Sequence, residues 1–437
     1  MPTADLLKTR NGRFLTFGLL YISQGIPQGF TGVAMIAYMR KEGMPIDQIG
    51  LFGAALALPW AFKWVWAPLV DLIKLNRFGG RKAWIIFCNV MMIITLLIAA
   101  DIDFTTNFQF LIVAVVLNNV FCATQDVAID SLAIQSLQED ELGRGNGFMF
   151  AGSFTGYAIG GAGAIYVTSI WGFNTTLVFV SAMLFLSLTY VVFFVSDPNA
   201  FRESNARTKK LFRKFMNSLQ EFLVELVGSF FASGTGPRVG LIFALLPSGA
   251  MALAGIIFSV LIVDYGLVGT EIAEIALYST VLGAVGCMVG GFLGDKFGVL
   301  RMLALSYVLT AIPTVYLAWL ISDIGLEAIP KNIFYAVITL HGFLYGLIFG
   351  LFAAVFMKLT NPLVAATQFT AFMALANLST GIGNFWQGKV AQELGYAAVL
   401  YLDALLVVLP ILLIPFLKNP RQKASATKGF RLTSQLE

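Results

Sequence analysis

The feature that most constrains this chain is a succession of apolar stretches of about 20 residues each, which is enough for a helix to cross a hydrocarbon layer of about 30 Å. Backbone polar groups in lipid need partners within their own segment, so each stretch is predicted to be an α-helix. Because 58% of the residues are hydrophobic and only 12% are charged, we predict a polytopic membrane protein.

We count twelve apolar stretches and predict one transmembrane helix for each. The predicted spans cover residues 14–39, 48–73, 82–100, 108–131, 147–170, 174–195, 238–263, 272–293, 300–321, 332–356, 365–390 and 396–417. The first stretch is too long for the core of a signal peptide and has no small-residue cleavage site, so we predict that it is retained.

Lysine and arginine are divided unequally between the two sides that twelve spans define. Roughly 23 of the 28 basic residues fall on the side of the termini and about four on the other, and such an excess marks the cytoplasmic side. Both termini are therefore predicted to be cytoplasmic. An error of one span would mix the two groups, so the separation also supports the count of twelve.

One long hydrophilic stretch lies between the sixth and seventh spans. It divides the chain into an N-terminal six-helix bundle at 1–195, a cytosolic linker at 196–237, a C-terminal six-helix bundle at 238–417 and a cytosolic tail at 418–437. Within the linker, Leu211–Phe231 carries apolar residues at helical spacing, which predicts an amphipathic helix on the membrane surface.

A loop with an aspartate and basic residues occurs once in each half. The second copy reads Gly-Gly-Phe-Leu-Gly-Asp-Lys-Phe-Gly at 290–298 and is followed by Arg301, and the first copy has Asp71 followed by Arg77 and Arg81. An aspartate at a helix end can interact with the positive N-terminus of a helix in the other half. We therefore predict a conformational gate; the alternative is a basic loop that only sets the topology. The predicted gate residues are Asp71, Arg81, Arg144, Asp295, Lys296 and Arg301.

The repeated loop, G-x-x-x-D-[RK]-x-G…R, and the arrangement of six plus six helices resemble the major facilitator superfamily over the whole chain. The resemblance implies an all-α membrane fold of two pseudo-symmetric six-helix bundles around a central cavity. Glycines at four-residue spacing predict close helix packing. They lie at 152, 156 and 160, at 286, 290 and 294, and at 342, 346 and 350. Close contacts between the halves suit a rocking transporter, although static packing also explains them.

Two carboxylates are predicted inside the fourth span. Asp126 and Asp130 lie one helical turn apart and share a face. An ionised, unpaired carboxylate is costly in a membrane, so it either binds a proton or pairs with a cation. A proton-coupled carrier needs such a group, and we predict that Asp126 carries the proton and that Asp130 supports the pair structurally. A structural ion pair with Arg81 or Arg144 is the alternative.

Lys63 is a basic residue well inside a span, and Trp60 lies one turn before it. The indole ring or Asp126 can hold the ammonium, and we predict that Lys63 binds an anionic substrate; snorkelling to the interface is the alternative. Neutral hydrogen-bonding groups extend the predicted substrate site, although each can instead join neighbouring helices. They are Gln24, Gln28, His341, Asn377 and Asn384.

Several strings narrow the resemblance to muropeptide permeases of the AmpG type and the related acetyl-coenzyme A transporters. They are Thr-Gln-Asp-Val-Ala-Ile-Asp at 124–130, Glu-Leu-Gly-Arg-Gly-Asn at 141–146, Phe-Lys-Trp-Val-Trp-Ala-Pro-Leu-Val-Asp at 62–71 and Ala-Ala-Thr-Gln-Phe at 365–369. The resemblance implies proton-driven import of a cell-wall-derived sugar-peptide across a bacterial inner membrane. It implies functional weight on Lys63, Gln125, Asp126 and Asp130. Siderophore importers and acetyl-coenzyme A carriers belong to the same broad group and remain alternatives.

Other classes of protein have less support in the sequence. A membrane metalloprotease needs a histidine cluster and the chain has one histidine, so we predict no metal site and no enzyme activity. The chain lacks an ATPase domain, so the energy is expected to come from an ion gradient, and no cofactor is expected. A passive channel or a membrane sensor remains an alternative. The predicted partners are the lipid bilayer, a small-molecule solute and protons, with no nucleic acid, and the chain is expected to act as a monomer.

Overall fold

The computed structural model of the protein is a bundle of α-helices. It describes residues 5–72, 80–100, 107–138, 141–196, 216–217, 219–221, 223–224, 227–228, 230–231, 234–246, 251–360 and 365–417. No β-strand occurs in these ranges. Nine of the helices found there are long and apolar enough to cross a membrane. The predicted all-α membrane fold is confirmed.

The described residues of the first half of the chain, between 5 and 196, form eight α-helices for the six predicted spans. They are α1 (Arg10–Gly29), α2 (Met35–Lys41), α3 (Ile46–Leu72), α4 (Arg81–Ala100), α5 (Phe108–Ser136), α6 (Leu142–Ala158), α7 (Ala164–Trp171) and α8 (Phe173–Phe194). The π-helical segments Phe30–Ala34 and Ile159–Gly163 join α1 to α2 and α6 to α7. The first and fifth spans are therefore locally widened helices, a feature frequent at functional sites.

Six further α-helices are found in the part of the second half that the structure describes, 234–246, 251–360 and 365–417. They are α9 (Thr235–Leu245), α10 (Ile256–Asp264), α11 (Gly269–Phe297), α12 (Val299–Ile324), α13 (Lys331–Leu359) and α14 (Ala365–Val408). A 3₁₀ segment, Leu409–Phe416, continues α14. The predicted eleventh and twelfth spans both fall on this last stretch and are separated by a sharp kink at Gly395, whose φ of 82° favours glycine.

The seventh span is not the continuous helix that its apolar sequence predicts. α9 ends at Leu245, Ala252–Ala254 forms a short 3₁₀ turn, and α10 begins at Ile256. Leu246 has an extended backbone (φ −71°, ψ 152°), which is the conformation favoured before a proline, and residue 247 is a proline. We call the described residues between α9 and α10, 246 and 251–255, the helix break.

The predicted glycines pack helices closely, but they do so within each half. A Cβ on Gly160 would lie 1.9 Å from a carbonyl oxygen of α1, and one on Gly346 would lie 2.0 Å from a carbonyl oxygen of α11. The expectation that these glycines join the halves is therefore wrong. The close approach between the halves occurs at Gly50 of α3, where a Cβ would lie 2.8 Å from the Cα of Gly388 in α14.

The two halves are joined by polar contacts at the end of the bundle opposite to the start of α1, which we call the distal end. Arg40 forms a bidentate ion pair with Asp264, with Nε–Oδ1 and Nη2–Oδ2 distances of 2.6 and 2.7 Å. The Tyr396 hydroxyl donates to Oδ2 of the same carboxylate at 2.5 Å. The backbone N–H of Ile46 donates to Oε1 of Gln392 at 2.8 Å. The end of α2, the start of α3, the end of α10 and the kink of α14 are thus fastened together.

The predicted linker lies mostly outside the described residues. Its described positions between 216 and 231 are helical. Phe230 is buried and its ring centroid lies 5.4 Å from that of Phe372 in α14. The amphipathic helix predicted over Leu211–Phe231 stays a prediction, and the tail at 418–437 also lies outside the described residues.

Candidate functional site

The predicted carboxylate Asp126 lies in a buried cluster where three helices converge. It is carried by α5 and is 6% exposed. Its Oδ1 accepts a hydrogen bond from Nε2 of Gln24 on α1, and its Oδ2 pairs with Nζ of Lys63 on α3. A buried carboxylate needs a compensating charge and hydrogen-bond donors, and Asp126 has both. We call Tyr21, Gln24, Lys63, Asp126 and Asp130 the charge cluster.

Lys63 is held from two sides. Its side chain is 23% exposed, and Nζ lies 5.3 Å from the centroid of the Trp60 ring in addition to its contact with Asp126. Trp60 is itself fixed, because its indole N–H donates to Oδ1 of Asn119 at 3.2 Å. The ammonium is therefore positioned by one carboxylate and one aromatic face, while part of the Lys63 side chain stays accessible.

Asp130 lies one turn beyond Asp126 on α5 and has its own donor. The hydroxyl of Tyr21 donates to Oδ1 of Asp130 at 2.5 Å. Tyr21 and Gln24 are three residues apart on α1, so this helix presents two donors to the two carboxylates of α5. Tyr21 is absent from the sequence predictions, although its spacing from Gln24 was an available signal.

Arg81, one of the two alternative cations for the acidic pair, makes different contacts. Its Nε donates to Oγ of Ser131, and its Nη1 donates to Oε1 of Gln135 at 3.1 Å. The side chain of Arg144, the other alternative, lies outside the described residues. The cation that the structure brings to Asp126 is Lys63.

Two asparagines predicted for the substrate site lie where α14 meets the first half. Nδ2 of Asn377 donates to the backbone carbonyl of Trp60 at 3.4 Å. Asn384 is buried. A Cβ added to Gly53 would lie 3.1 Å from Nδ2 of Asn384, and a Cβ added to Gly255 would lie 3.2 Å from Oδ1 of Asn384. Asn384 therefore sits between α3 and the helix break.

Three other predicted substrate residues make no hydrogen bond within the part of the chain that the structure describes. Gln125 and His341 are fully buried, and neither polar atom of their side chains has a partner there. Gln28 on α1 is half-buried. An unsatisfied buried polar group costs about 1–3 kcal/mol, so such groups are candidates for contact with a ligand or with water.

The predicted gate residues lie at the end of the bundle where α1 begins. Asp295, Lys296 and Arg301 are exposed at the corner between α11 and α12, and Lys296 lies over the ring of Phe297 at 5.3 Å. The side chains of Asp71 and Arg144 lie outside the described residues, and Arg81 bonds within its own half. Among the described residues, the polar contacts between the halves are found instead at the distal end and at Asn377, which bonds to the Trp60 carbonyl.

A second ion pair of the first half lies beside the gate, outside the apolar spans. Glu141, between α5 and α6, accepts hydrogen bonds from Nε (2.8 Å) and Nη2 of Arg13 on α1 and from the backbone N–H of Gln138 (3.1 Å). These bonds hold the pKa of Glu141 below its usual value, and the bond from the Arg13 guanidinium contributes most. The contact anchors the start of α1 to the loop before α6.

The chemistry available to the charge cluster is ion pairing and proton exchange. Among the described residues, His, Cys, Asp and Glu side chains form no group of three suited to a metal ion. The ion pair of Asp126 and Lys63 can open only if each partner finds another compensating group, since both are largely removed from water.

The fold itself is shared with solved membrane transporters. A D-xylose-proton symporter superposes with a TM-score of 0.72, covering 93% of this chain and 98% of that chain at 9% sequence identity. The nucleoside transporter NupG superposes with a TM-score of 0.68, covering 93% and 99% at 16% identity. The protein is an integral membrane protein of the transporter class. The sequence profile of the Major Facilitator Superfamily matches residues 15–384, and the chain belongs to that family.

Relatives in sequence confirm the narrower resemblance to AmpG-type permeases. The putative transporter AmpG 4 of Rickettsia conorii is 25% identical, covering 94% of this chain and 97% of the relative. The anhydromuropeptide permease of Escherichia coli K12 is 23% identical, covering 85% of this chain and 72% of the relative.

Proposed function

We propose that the protein is a proton-coupled secondary transporter that imports a polar or anionic organic solute of the anhydro-muropeptide class. The name of the Escherichia coli relative supports the solute class, and the name of the D-xylose-proton symporter supports coupling to protons. The observation that carries the proposal is the ion pair of Asp126 and Lys63, buried where α1, α3 and α5 converge.

Coupling follows from competition for Lys63. An anionic group of the solute that binds the ammonium displaces Asp126. The displaced carboxylate is then a charge without a cation in a medium of low dielectric constant, and it becomes neutral by taking up a proton. Solute and proton therefore load together. When the solute leaves, Lys63 pairs again with Asp126 and the proton is released.

Asp130 and Tyr21 support this exchange from the neighbouring turn. A second carboxylate close to Asp126 disfavours two negative charges in one site, so it favours proton uptake by the pair once Lys63 is occupied. The hydrogen bond from Tyr21 keeps Asp130 in place. The two carboxylates are therefore proposed to titrate as a unit.

Neutral side chains around the charge cluster are proposed to bind the sugar and peptide parts of the solute. Gln125 precedes Asp126 on α5 and has a donor and an acceptor without partners among the described residues, and Gln28 lies one turn beyond Gln24 on α1 and is half-buried. The proposed solute site also includes Gln24, Trp60, His341, Asn377 and Asn384.

Access to the site is proposed to alternate between the two ends of the bundle. We propose that both termini lie in the cytoplasm of a bacterium, that the contacts at the distal end close the periplasmic side, and that this conformation faces inward. The gate residues Asp71, Arg81, Arg144, Asp295, Lys296 and Arg301 are proposed to join the halves in the opposite state. The six-helix bundles at 1–195 and 238–417 are proposed to move as units.

Uptake by purified protein in lipid vesicles tests the proposal. With an inward proton gradient, an anhydro-muropeptide should accumulate above its external concentration, and an uncoupler should abolish accumulation. Asp126→Asn should lose uphill uptake yet still exchange solute, whereas the matched substitution Asp323→Asn, at the exposed end of α12, should behave as wild type. Downhill flux of the solute that does not depend on the proton gradient would indicate a channel.

A thermal-shift screen of the purified protein identifies the solute class, since a ligand stabilises the state that it binds. Anhydro-muropeptides should raise the melting temperature at lower concentration than ferric siderophores or acetyl-coenzyme A. Preferential stabilisation by either of the other two classes would reassign the solute and leave the proton mechanism to the uptake experiment.

A further inference from the structure

A second buried carboxylate lies in the second half of the chain, away from the charge cluster. Asp403, on α14 beyond the kink at Gly395, is 2% exposed. Its Oδ1 accepts hydrogen bonds from the backbone N–H of Ala252 at 3.0 Å and from Nε2 of Gln387 at 3.2 Å. Asp403 therefore joins three pieces of backbone: the helix break and both sides of the kink.

The helix break is held by side chains of α14 at both of its ends. Ser379 donates from Oγ to the carbonyl oxygen of Leu246 at 3.2 Å, at the end of α9. Asp403 accepts the N–H of Ala252 at the start of the 3₁₀ turn. Irregular backbone at membrane depth is tolerated where protein groups satisfy it. Asp403 is thus one of the groups on which the shape of the seventh span depends.

The donors to Asp403 are electrically neutral, in contrast to those of Asp126. The charged side chains of α9, α10, α12 and α13 lie within four residues of a helix end: Arg238, Asp264, Arg301, Asp323, Lys331 and Lys358. The titratable groups in the interior of α12 and α13 are Tyr307, Tyr316, Tyr335, His341 and Tyr345. Lys63 of α3, which also packs on α14, is paired with Asp126. None of these groups is hydrogen-bonded to Asp403 or ion-paired with it.

We propose that Asp403 is a second proton-binding site, occupied by a proton in this conformation. An uncompensated carboxylate is costly in a membrane, whereas a carboxylic acid keeps both observed bonds because its carbonyl oxygen, Oδ1, accepts both donors. The proton resides on Oδ2 and comes from water, and the side chain changes from one negative charge to none. When the helix break rearranges and admits water, the proton returns to solution.

This inference deepens the proposed proton-coupled function by adding a carboxyl that responds to the shape of the helix break. Asp126 exchanges its proton when the solute occupies Lys63. Asp403 exchanges its proton when the contact to Ala252 is made or broken. The two carboxyls therefore report different events of one transport cycle, the first on solute binding and the second on conformation.

Infrared difference spectroscopy tests the protonation of Asp403 without relying on transport. Spectra of wild type and Asp403→Asn are recorded on protein in lipid from about pH 5 to about pH 9, which extends well above the ordinary carboxyl range. The difference spectrum, wild type minus variant, should show the carbonyl band of a protonated carboxylic acid. The matched difference with Asp323→Asn should lack it. Absence of the band at every pH would overturn the proposal.

Solute counterflow provides the functional arm. Asparagine keeps an oxygen acceptor for Ala252 and Gln387, so Asp403→Asn should fold and bind solute, but the pH dependence of its counterflow should flatten. Asp403→Glu should restore that dependence. An unchanged pH profile in Asp403→Asn would show that Asp403 is only a brace for the helix break.

The two proposals fail in distinguishable ways. If Asp126→Asn loses uphill uptake while Asp403 gives no acid band, the second site is wrong and the proposed function stands. If the acid band of Asp403 is observed while uptake by wild type is unaffected by an uncoupler, Asp403 is still a protonated buried acid. The proposed proton-coupled function is then wrong.

Discussion

The two halves of the molecule bury their carboxylates in opposite ways. In the first half, Asp126 faces the ammonium of Lys63, and its charge is compensated. In the second half, Asp403 faces a backbone N–H and a neutral amide. The first arrangement is stable as a pair of ions until something competes for the lysine, whereas the second is stable as a neutral acid. In the proposed mechanism, the first carboxylate responds to solute binding and the second responds to the shape of the helix break.

The largest expected effect is that of breaking the compensated pair. Asp126→Asn leaves Lys63 without its counter-charge, and we expect a loss of stability of about 3 kcal/mol, toward the low end for a buried pair, because part of Lys63 remains exposed. Denaturant or thermal unfolding in lipid or detergent measures it.

The double substitution Asp126→Asn with Lys63→Gln separates stability from function. It removes both charges, so most of the stability should return, while uphill uptake should stay absent. Recovery of uphill uptake together with stability would contradict the assignment of the proton to Asp126. A double-mutant cycle gives the coupling energy between the two side chains.

A smaller effect is expected at the distal end, where the halves meet. Arg40→Gln removes the bidentate ion pair with Asp264 and should shift the equilibrium toward opening of this end by about 1 kcal/mol, or about fivefold. Distance distributions between spin labels placed across the distal end should show a larger population at the longer separation. Arg40→Lys keeps the charge but loses the fork geometry and should give an intermediate shift. No change in either variant would remove this contact from the gating scheme.

The ion pair of Glu141 and Arg13 extends the comparison to a compensated carboxylate outside the spans. The pKa of Glu141 is lowered by the Arg13 guanidinium, so its stabilisation is complete above the ordinary glutamate pKa of about 4.3 and is lost as the pH falls through the lower folded-state value. Glu141→Gln should therefore lower the melting temperature at neutral pH, and the difference from wild type should shrink in acid. A difference that is constant with pH would rule out the charge as its cause.

The smallest effect is expected at His341, another neutral polar group of the second half. His341→Met removes an imidazole that has no partner among the described residues, and the change should stabilise the protein by up to about 1 kcal/mol. Unfolding and solute affinity are measured together. A fall in affinity at unchanged stability would place His341 in the solute site.

More of the fold than of the side-chain contacts could be predicted from the sequence. Length and apolarity were sufficient for the all-helical membrane fold, because lipid leaves helices as the structure for such stretches. The break in the seventh span was missed, because hydropathy does not respond to a single proline, although Pro247 carried the signal. The glycine spacing predicted close packing but not its partners, since any two helices with small residues can approach each other.

The charge cluster was predictable in its composition and not in its pairing. Asp126 and Lys63 are conspicuous because ionisable residues are rare inside spans. Tyr21 was missed because a tyrosine in an apolar stretch is unremarkable by itself. Asp403 was absent from the predictions. Its burial depends on the helix break, which the linear pattern did not reveal.

The most direct test of the central claim is the measurement of proton movement in vesicles that contain purified protein and a trapped pH indicator, without an imposed gradient. Addition of an anhydro-muropeptide outside should carry protons inward with wild type and leave the internal pH unchanged with Asp126→Asn. Proton entry that is equal in the two proteins would contradict the account.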